Sequence, residues 1–266
     1  MDFEYFDIHS HLYFPDYDKD REDEIKKIKK AKIGTITIGT DLESSKKAIE
    51  MAKEHQNLFA CIGQHPGELN VGSVFDERLE TLVDNPKVVA IGETGLDYFR
   101  MLPDDFSLKG IQKTIFEYHI DLALSSNKPL MLHIRSSKGT QDAWDDALAI
   151  LEHHAKTSGG ELRGNAHFFA GDMDVLKRLL AIGFTVSFTG VITFTHDYDE
   201  LIKYTPLDMI MSETDAPFVA PEPHRGKRNS PLYVPEVVKK IAEIRKEPFE
   251  TVKKAMRDNA NRCFGV

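Results

Sequence analysis

Phe6-Asp7-Ile8-His9-Ser10-His11-Leu12 is a short apolar run carrying two imidazoles, and an amphipathic stretch of different period follows it. A strand buried on both faces reads this way. Seven further runs of the same kind recur, at 35–39, 59–63, 88–92, 130–134, 165–169, 184–188 and 209–212. Between them lie helix patterns at 20–32, 43–55, 108–125, 140–154, 173–182 and 199–204, and two more close the chain at 234–245 and 248–264. Residues 108–125 show the period plainly, with Ile111, Ile115, Tyr118 and Leu122 at spacings of three and four. Pro248 stands near the first turn of the last helix, and Gly265 follows it. Eight strands alternating with helices over about 250 residues predict a (β/α)8 TIM barrel of the α/β class. An open doubly wound sheet is the alternative, but no Gly-rich dinucleotide fingerprint follows the first strand. No Pro/Ser linker or low-complexity tract divides the chain, so residues 1–266 are expected to form a single domain.

The 266 residues hold 34 Lys and Arg against 43 Asp and Glu, a net charge of −9 at neutral pH. That balance excludes a protein that coats nucleic acid by bulk charge. A polyanion bound here needs a local source of positive potential. Two cysteines, Cys61 and Cys263, are too few for a disulfide framework and point to a reducing compartment. Met1-Asp2-Phe3-Glu4 offers no basic n-region or apolar h-region, and no uncharged run approaches ~18 residues. A cytoplasmic protein without a membrane partner is expected.

The eleven histidines are not scattered. His9, His11, His65, His133 and His167 fall inside or at the C-terminal ends of expected strands. His55, His119, His153 and His154 belong to helix patterns, as surface or packing residues, and His196 and His224 to the loops after strands seven and eight. In a barrel the strand C-terminal ends converge on one mouth, where the catalytic groups sit. Five imidazoles there make either a metal site or a cluster of half-satisfied polar groups that is costly to bury. Strand residues two apart point to one side, so His9 and His11 can chelate one ion together. By itself a His-x-His is as readily a pair of solvated imidazoles. Glu93 at the end of strand four, with Glu213 and Asp215 at the end of strand eight, adds carboxylates, and such a mixed set suits Zn, Mn, Fe or Mg.

In this order the residues resemble the TatD-like family of metal-dependent deoxyribonucleases, a branch of the amidohydrolase-type TIM barrels. The likeness runs nearly end to end. It is carried by Asp7-Ile8-His9-Ser10-His11-Leu12, Gly63-Gln64-His65-Pro66, Ile91-Gly92-Glu93-Thr94-Gly95-Leu96-Asp97-Tyr98 and Leu132-His133-Ile134-Arg135. It continues through Ala166-His167-Phe168-Phe169-Ala170-Gly171, Glu213-Thr214-Asp215-Ala216-Pro217 and Arg225-Gly226-Lys227-Arg228-Asn229-Ser230-Pro231. Two departures stand out. The family usually has Cys-Phe-Ser where this chain has Phe168-Phe169-Ala170, and a His-like residue where it has Gly67. The resemblance implies two divalent ions, Mg, Mn or Zn: His9, His11 and Asp215 on one, His133 and His167 on the other, and Glu93 bridging. Glu93 and Asp215 are the implied catalytic carboxylates. A carboxylate offers two oxygens, so it can span two cations where an imidazole cannot. Related amidohydrolases often bridge with a carboxylated lysine, and none lies in 89–98, which favours the nuclease-like branch.

Two cations about 3.5–4 Å apart would lower the pKa of a bridging water and neutralise a phosphoryl oxygen. They would also supply the positive field that the chain's own charge lacks. Asp215 is the expected acceptor of that water's proton. Glu213 is read either as a direct participant or as a buried acceptor behind the ligands. His65, Arg135, Arg225 and Asn229 are the expected substrate contacts. Against these stand a structural His beside Pro66, an ion pair of Arg135 with Asp97 or Glu93, and a solvated surface turn for the loop of Arg225, Arg228 and Asn229. Tyr98, Phe99, Phe168 and Phe169 are candidates to stack on bases, although packing inside the barrel is the stronger reading for Phe168. Trp144 reads as core, and Lys26, Lys27, Lys29 and Lys30 as a solvated helix face.

The expected function is hydrolysis of phosphodiester bonds, as a monomeric 3′–5′ exodeoxyribonuclease on single-stranded DNA or 3′ ends. One alternative is a metallohydrolase of the same barrel acting on a small phosphoester, cyclic amide or lactone. The other, a metal-stabilised binding protein without catalysis, is disfavoured because all six expected ligand positions are filled. An open mouth with phosphate contacts separates the first two.

Overall fold

A computed structural model describes residues 3–102 and 105–266. Eight parallel strands pair in chain order: β1 (Tyr5–Ser10), β2 (Ile33–Ile38), β3 (Leu58–Ile62), β4 (Val88–Asp97), β5 (Leu130–Arg135), β6 (Gly164–Ala166), β7 (Thr185–Phe188) and β8 (Ile210–Ser212). The helices around them are α1 (Arg21–Lys30), α2 (Leu42–Glu54), α3 (Phe106–Ser125), α4 (Asp142–Thr157), α5 (Met173–Ala181), α6 (Asp199–Tyr204), α7 (Val234–Arg245) and α8 (Phe249–Phe264). The expected (β/α)8 barrel is the architecture found. Its departure from ideal alternation lies in the third unit. There β3 reaches β4 through short 3-10 turns at Pro66–Glu68 and Glu77–Leu82, while α7 and α8 both follow β8.

Helix faces close the outside of the barrel as their periodicity dictates. Ile25 and Ile28, Ala48 and Ala52, Leu148 and Leu151, and Leu176 and Leu179 are all buried, at three- and four-residue spacing. Helix α3 is rotated from the expected face: Ile115, His119 and Leu122 turn inward, but Tyr118 is half exposed and stacks on Phe75. Lys26, Lys27, Lys29 and Lys30 are exposed, and Trp144 is core, packed on Phe169.

Strand ends differ from the sequence pattern where side chains redirect the backbone. β6 stops at Ala166 because Phe168 takes a φ of +42°, a left-handed value that no strand continues. β4 runs five residues beyond expectation, to Asp97, with Glu93 in the register break between Ile91 and Thr94 of its pairing with β5. Gly63 makes room for it. A Cβ there would meet the Gly92 backbone at 2.6 Å.

Among the described residues, β1 and the segment just after β8 share one isolated bridge, Ser10 with Ala216. The seam is otherwise held by His11 N–H to Ala216 O (2.7 Å) and Asp215 N–H to His9 O (2.9 Å). Beneath it, the buried Asp7 carboxylate accepts from the Thr214 amide (2.8 Å) and hydroxyl (2.7 Å). Burial pushes the Asp7 carboxyl up to about 7 against these hydrogen bonds. Helix α8 backs the seam, where Asn259 donates to the carbonyls of Leu207 and Ile210.

Candidate metal centre

The C-terminal ends of β1, β4, β5, β6 and β8 bring the six expected ligands to one mouth. His9 Nε2 and His11 Nε2 lie 3.3 Å apart, as two same-face residues of one strand allow. Asp215 Oδ1 stands 3.7 Å and 3.5 Å from them, and Glu93 Oε2 3.4 Å and 3.9 Å. Four donors at tetrahedral positions around a cation with 2.0–2.1 Å bonds are separated by about 3.3–3.4 Å. The measured edges are close to that, and two imidazoles with two carboxylates are a donor set a divalent cation accepts. The residues therefore fit the ion.

The other oxygen of Glu93 faces a second group. Oε1 lies 2.8 Å from His167 Nε2, 2.9 Å from His133 Nδ1 and 3.5 Å from His65 Nε2. These first two distances are hydrogen-bonding ones, shorter than a coordination edge. A ring proton between nitrogen and carboxylate gives such a spacing. The pKa directions agree. Burial alone would lower His167, but Glu93 and Glu213 outweigh it and raise the ring well above its ordinary value. His133 is likewise raised against burial, by hydrogen bonds to Asp97 and Glu93. Burial would raise Glu93, yet His167, His65 and His9 hold it well below the usual carboxylate range. A cation arriving here displaces protons.

Ring tautomers separate ligands from neighbours. His11 Nδ1 faces Ile38 O at 3.1 Å, which takes its proton and leaves Nε2 with a free lone pair. His65 is the reverse: its Nδ1 accepts the Gly67 amide at 2.9 Å, so the neutral ring carries its proton on Nε2. His65 lies within coordination reach with Glu93 and His133, but that tautomer makes it a donor to an oxygen, not a ligand. Gly67, one of the family departures, is the residue whose amide sets it.

The mouth is a cavity of about 600 Å³ whose lining includes His11, Glu93, His133, His167 and Asp215 together with Phe14, Phe168, Phe218 and Arg135. Arg135 stacks on Phe99 with 3.8 Å between guanidinium carbon and ring centre, and among the described residues its guanidinium forms no hydrogen bond or ion pair. The expected pairing with Asp97 or Glu93 is not made. Asp97 instead takes the second nitrogen of His133, at 3.0 Å. Sequence reasoning treated Asp97 only as a partner for Arg135. Four residues beyond Glu93 in β4, it falls on the same face, and that spacing was the available signal.

Several expectations need correction. Phe168 does not pack inside the barrel; it is partly exposed and walls the cavity. Tyr98 and Phe169 are fully buried, so neither can stack on a base. Asn229 is fully buried, donating to the carbonyls of Thr214 (2.7 Å) and Phe218 (2.5 Å) and accepting from Ser230 N. It braces the turn after Asp215 and does not face the cavity. Arg228 makes a two-pronged ion pair with Asp20, and Arg225 lies over Phe194 outside the cavity lining. Of the two readings of Glu213, the buried acceptor is the one whose geometry is found: it lies behind His9 and His167.

A sequence model of the family described as TatD related DNase matches residues 6–265. An uncharacterized metal-dependent hydrolase of Bacillus subtilis (strain 168), YabD, is 37% identical over 98% of this chain and 99% of its own length. Another, YcfH of Escherichia coli (strain K12), is 34% identical over 98% and 95%. Among solved structures, the TatD homolog YJJV from Escherichia coli K12 superposes with a TM-score of 0.87 at 27% identity, covering 99% of this chain and 98% of that one.

Proposed function

This chain belongs to the TatD family of metal-dependent hydrolases, and from that premise we propose that it cleaves phosphodiester bonds, as a 3′–5′ exodeoxyribonuclease on single-stranded or 3′-terminal DNA. The observation that carries the reading is the Glu93 carboxylate, addressed by histidines on both oxygens and opening onto a cavity walled by Phe14, Phe168 and Phe218 with Arg135 at its edge. His9, His11 and Asp215 would hold one divalent ion and His133 and His167 another, with Glu93 shared. Bound there, such ions supply a water acidic enough to ionise near neutral pH and neutralise a phosphoryl oxygen.

The chain's own groups supply the rest. Burial would raise Asp215, but His11, His9 and His167 keep its carboxyl below the usual range, so it is ionised and able to take a proton from water. The Nε2–H of His65 donates toward a phosphate oxygen. The guanidinium of Arg135, planar and pre-stacked on Phe99, suits a second phosphate oxygen. The aromatic walls exclude water from one side of the cavity and offer faces to sugar and base. A cavity of about 600 Å³ has room for a terminal nucleotide.

The experiment compares end-labelled oligonucleotides with a generic phosphodiester, a cyclic amide and a lactone, with Mg2+, Mn2+ or Zn2+ and with a chelator. Stepwise loss from the 3′ end, abolished by chelation, is expected. Turnover of the cyclic amide or lactone with inert oligonucleotides would sink the nuclease reading in favour of a small-substrate hydrolase.

A further inference from the structure

Glu213 is fully buried, and each of its carboxylate oxygens faces two groups. Oε1 accepts the Phe168 amide at 2.5 Å and faces the Ser187 hydroxyl at 3.0 Å. Oε2 stands 3.3 Å from His167 Nδ1 and 3.9 Å from His9 Nδ1. That His9 nitrogen is buried and makes no hydrogen bond. On the far side of the same two rings, both Nε2 atoms face Glu93, at 3.4 Å for His9 and 2.8 Å for His167.

A neutral imidazole carries one proton, and the acceptor at one nitrogen decides which nitrogen is left with a lone pair. Asp97 performs this service for His133 alone. Glu213 faces two rings with one oxygen, and those rings belong to the two different halves of the donor cage. We propose that Glu213 is a positioning residue that sets the same tautomer in His9 and His167 together, so that both halves of the cage are prepared by one carboxylate. Its other oxygen ties in the cavity wall, because Phe168 keeps its positive φ with its amide on Oε1. The proposal rests on reading these histidines as ligands of two ions.

The test uses the full chain, stripped of metal and titrated with Zn2+ against a chromophoric chelator, with 1H–15N spectra of the histidine rings in the loaded protein. In the wild type, His9 and His167 both keep their proton on Nδ1. Glu213→Gln, whose amide NH2 offers a donor where an acceptor is needed, weakens both equivalents by roughly tenfold to a hundredfold. Asp97→Asn weakens only one. Glu213→Asp restores the charge and recovers part of the affinity of both, a rescue that mere space-filling would not produce. Wild-type spectra placing the His9 proton on Nε2 overturn the proposal whether or not any variant folds. So does a Glu213→Gln chain in which one equivalent alone is weakened, or neither. A wild-type chain that takes up no Zn2+ overturns the two-ion reading instead.

Discussion

The imidazoles of His9 and His167 lie face to face, ring centres 3.8 Å apart and planes 10° from parallel. β1 and β6 are not neighbours in the sheet, so this contact is made across the barrel mouth. Two imidazolium rings cannot stack so closely without repulsion, and the pair divides the charge. Burial and the neighbouring His167 lower His9, whereas His167 is raised by its carboxylates. The stack sets a ring biased toward its neutral form against one biased toward its protonated form.

The two carboxylates should fail differently. Glu93→Ala removes the group that both halves of the cage share, so Zn2+ or Mn2+ titration should show loss of both equivalents together with activity. Asp215→Asn keeps an oxygen ligand but cannot take a proton, and at least one equivalent should remain. General-base assistance is worth ~10²–10⁴ in rate, so kcat should fall by about two orders or more. Near wild-type kcat with both ions bound would assign the proton transfer elsewhere.

Chelation should lower thermal stability as well as activity. An ion that binds only the folded chain stabilises it by about 2.7 kcal/mol at a free concentration a hundredfold above Kd. The Tm of the stripped protein should therefore lie several degrees below that of the loaded one, and adding back Mn2+ or Zn2+ should restore both Tm and turnover. A Tm indifferent to metal would contradict this.

Acid should destabilise the chain through His119, which is not one of the expected ligands. Burial depresses its ring to about 4, and both nitrogens are used, Nδ1–H donating to Ile115 O (2.8 Å) and Nε2 accepting from Gln64 N–H (3.0 Å). The unfolded ring binds its proton near 6.5, so between about 6.5 and 4 the unfolded state holds more protons. Stability is thus full above 6.5 and falls as pH drops toward 4, by about 3 kcal/mol at 1.36 kcal/mol per unit. Denaturant unfolding of the metal-free wild type and of His119→Gln across this range should show a steeper acid loss in the wild type. Parallel curves would remove His119 from the account.

Asn229 and Arg135 should separate stability from substrate binding. Asn229→Ala leaves the buried carbonyls of Thr214 and Phe218 unpaired, at about 1–3 kcal/mol each, while KM for an oligonucleotide stays near wild type. Arg135→Ala should raise KM, flatten its salt dependence and leave the denaturation midpoint nearly unchanged. The opposite assignment of effects would restore Asn229 as a substrate contact.

The barrel was legible because its signal is repeated: eight apolar runs carry the period of a strand whatever a single residue does. The cage was legible as residue types, since His9, His11, Glu93, His133, His167 and Asp215 all fall in or just after expected strands. Side-chain commitments were not. Asn229 and Arg228 read as loop groups free to meet substrate, but whether a polar side chain faces solvent or a backbone carbonyl depends on how the loop folds back, as this one does against Asp20 and Phe218. Phe168 escapes the sequence for a related reason: the Glu213 oxygen that captures its amide lies 45 residues away in sequence.

The seam between β1 and β8 gives the site a mechanical meaning. Every other junction in the wall is a ladder of hydrogen bonds, but this one is a clasp: a single bridge at Ser10 and Ala216 and the amide contacts of His11 with Ala216 and Asp215 with His9, set over the Asp7 carboxylate on Thr214. His9, His11 and Asp215 of this clasp belong to the donor cage. Whatever draws the cage shut also fastens the wall, and whatever loosens the wall spreads the cage. Amide hydrogen exchange should therefore begin at His11 and Asp215 when the chain is stripped and slow there first on loading, so that one clasp sets both how long the barrel stays closed and how long it stays competent.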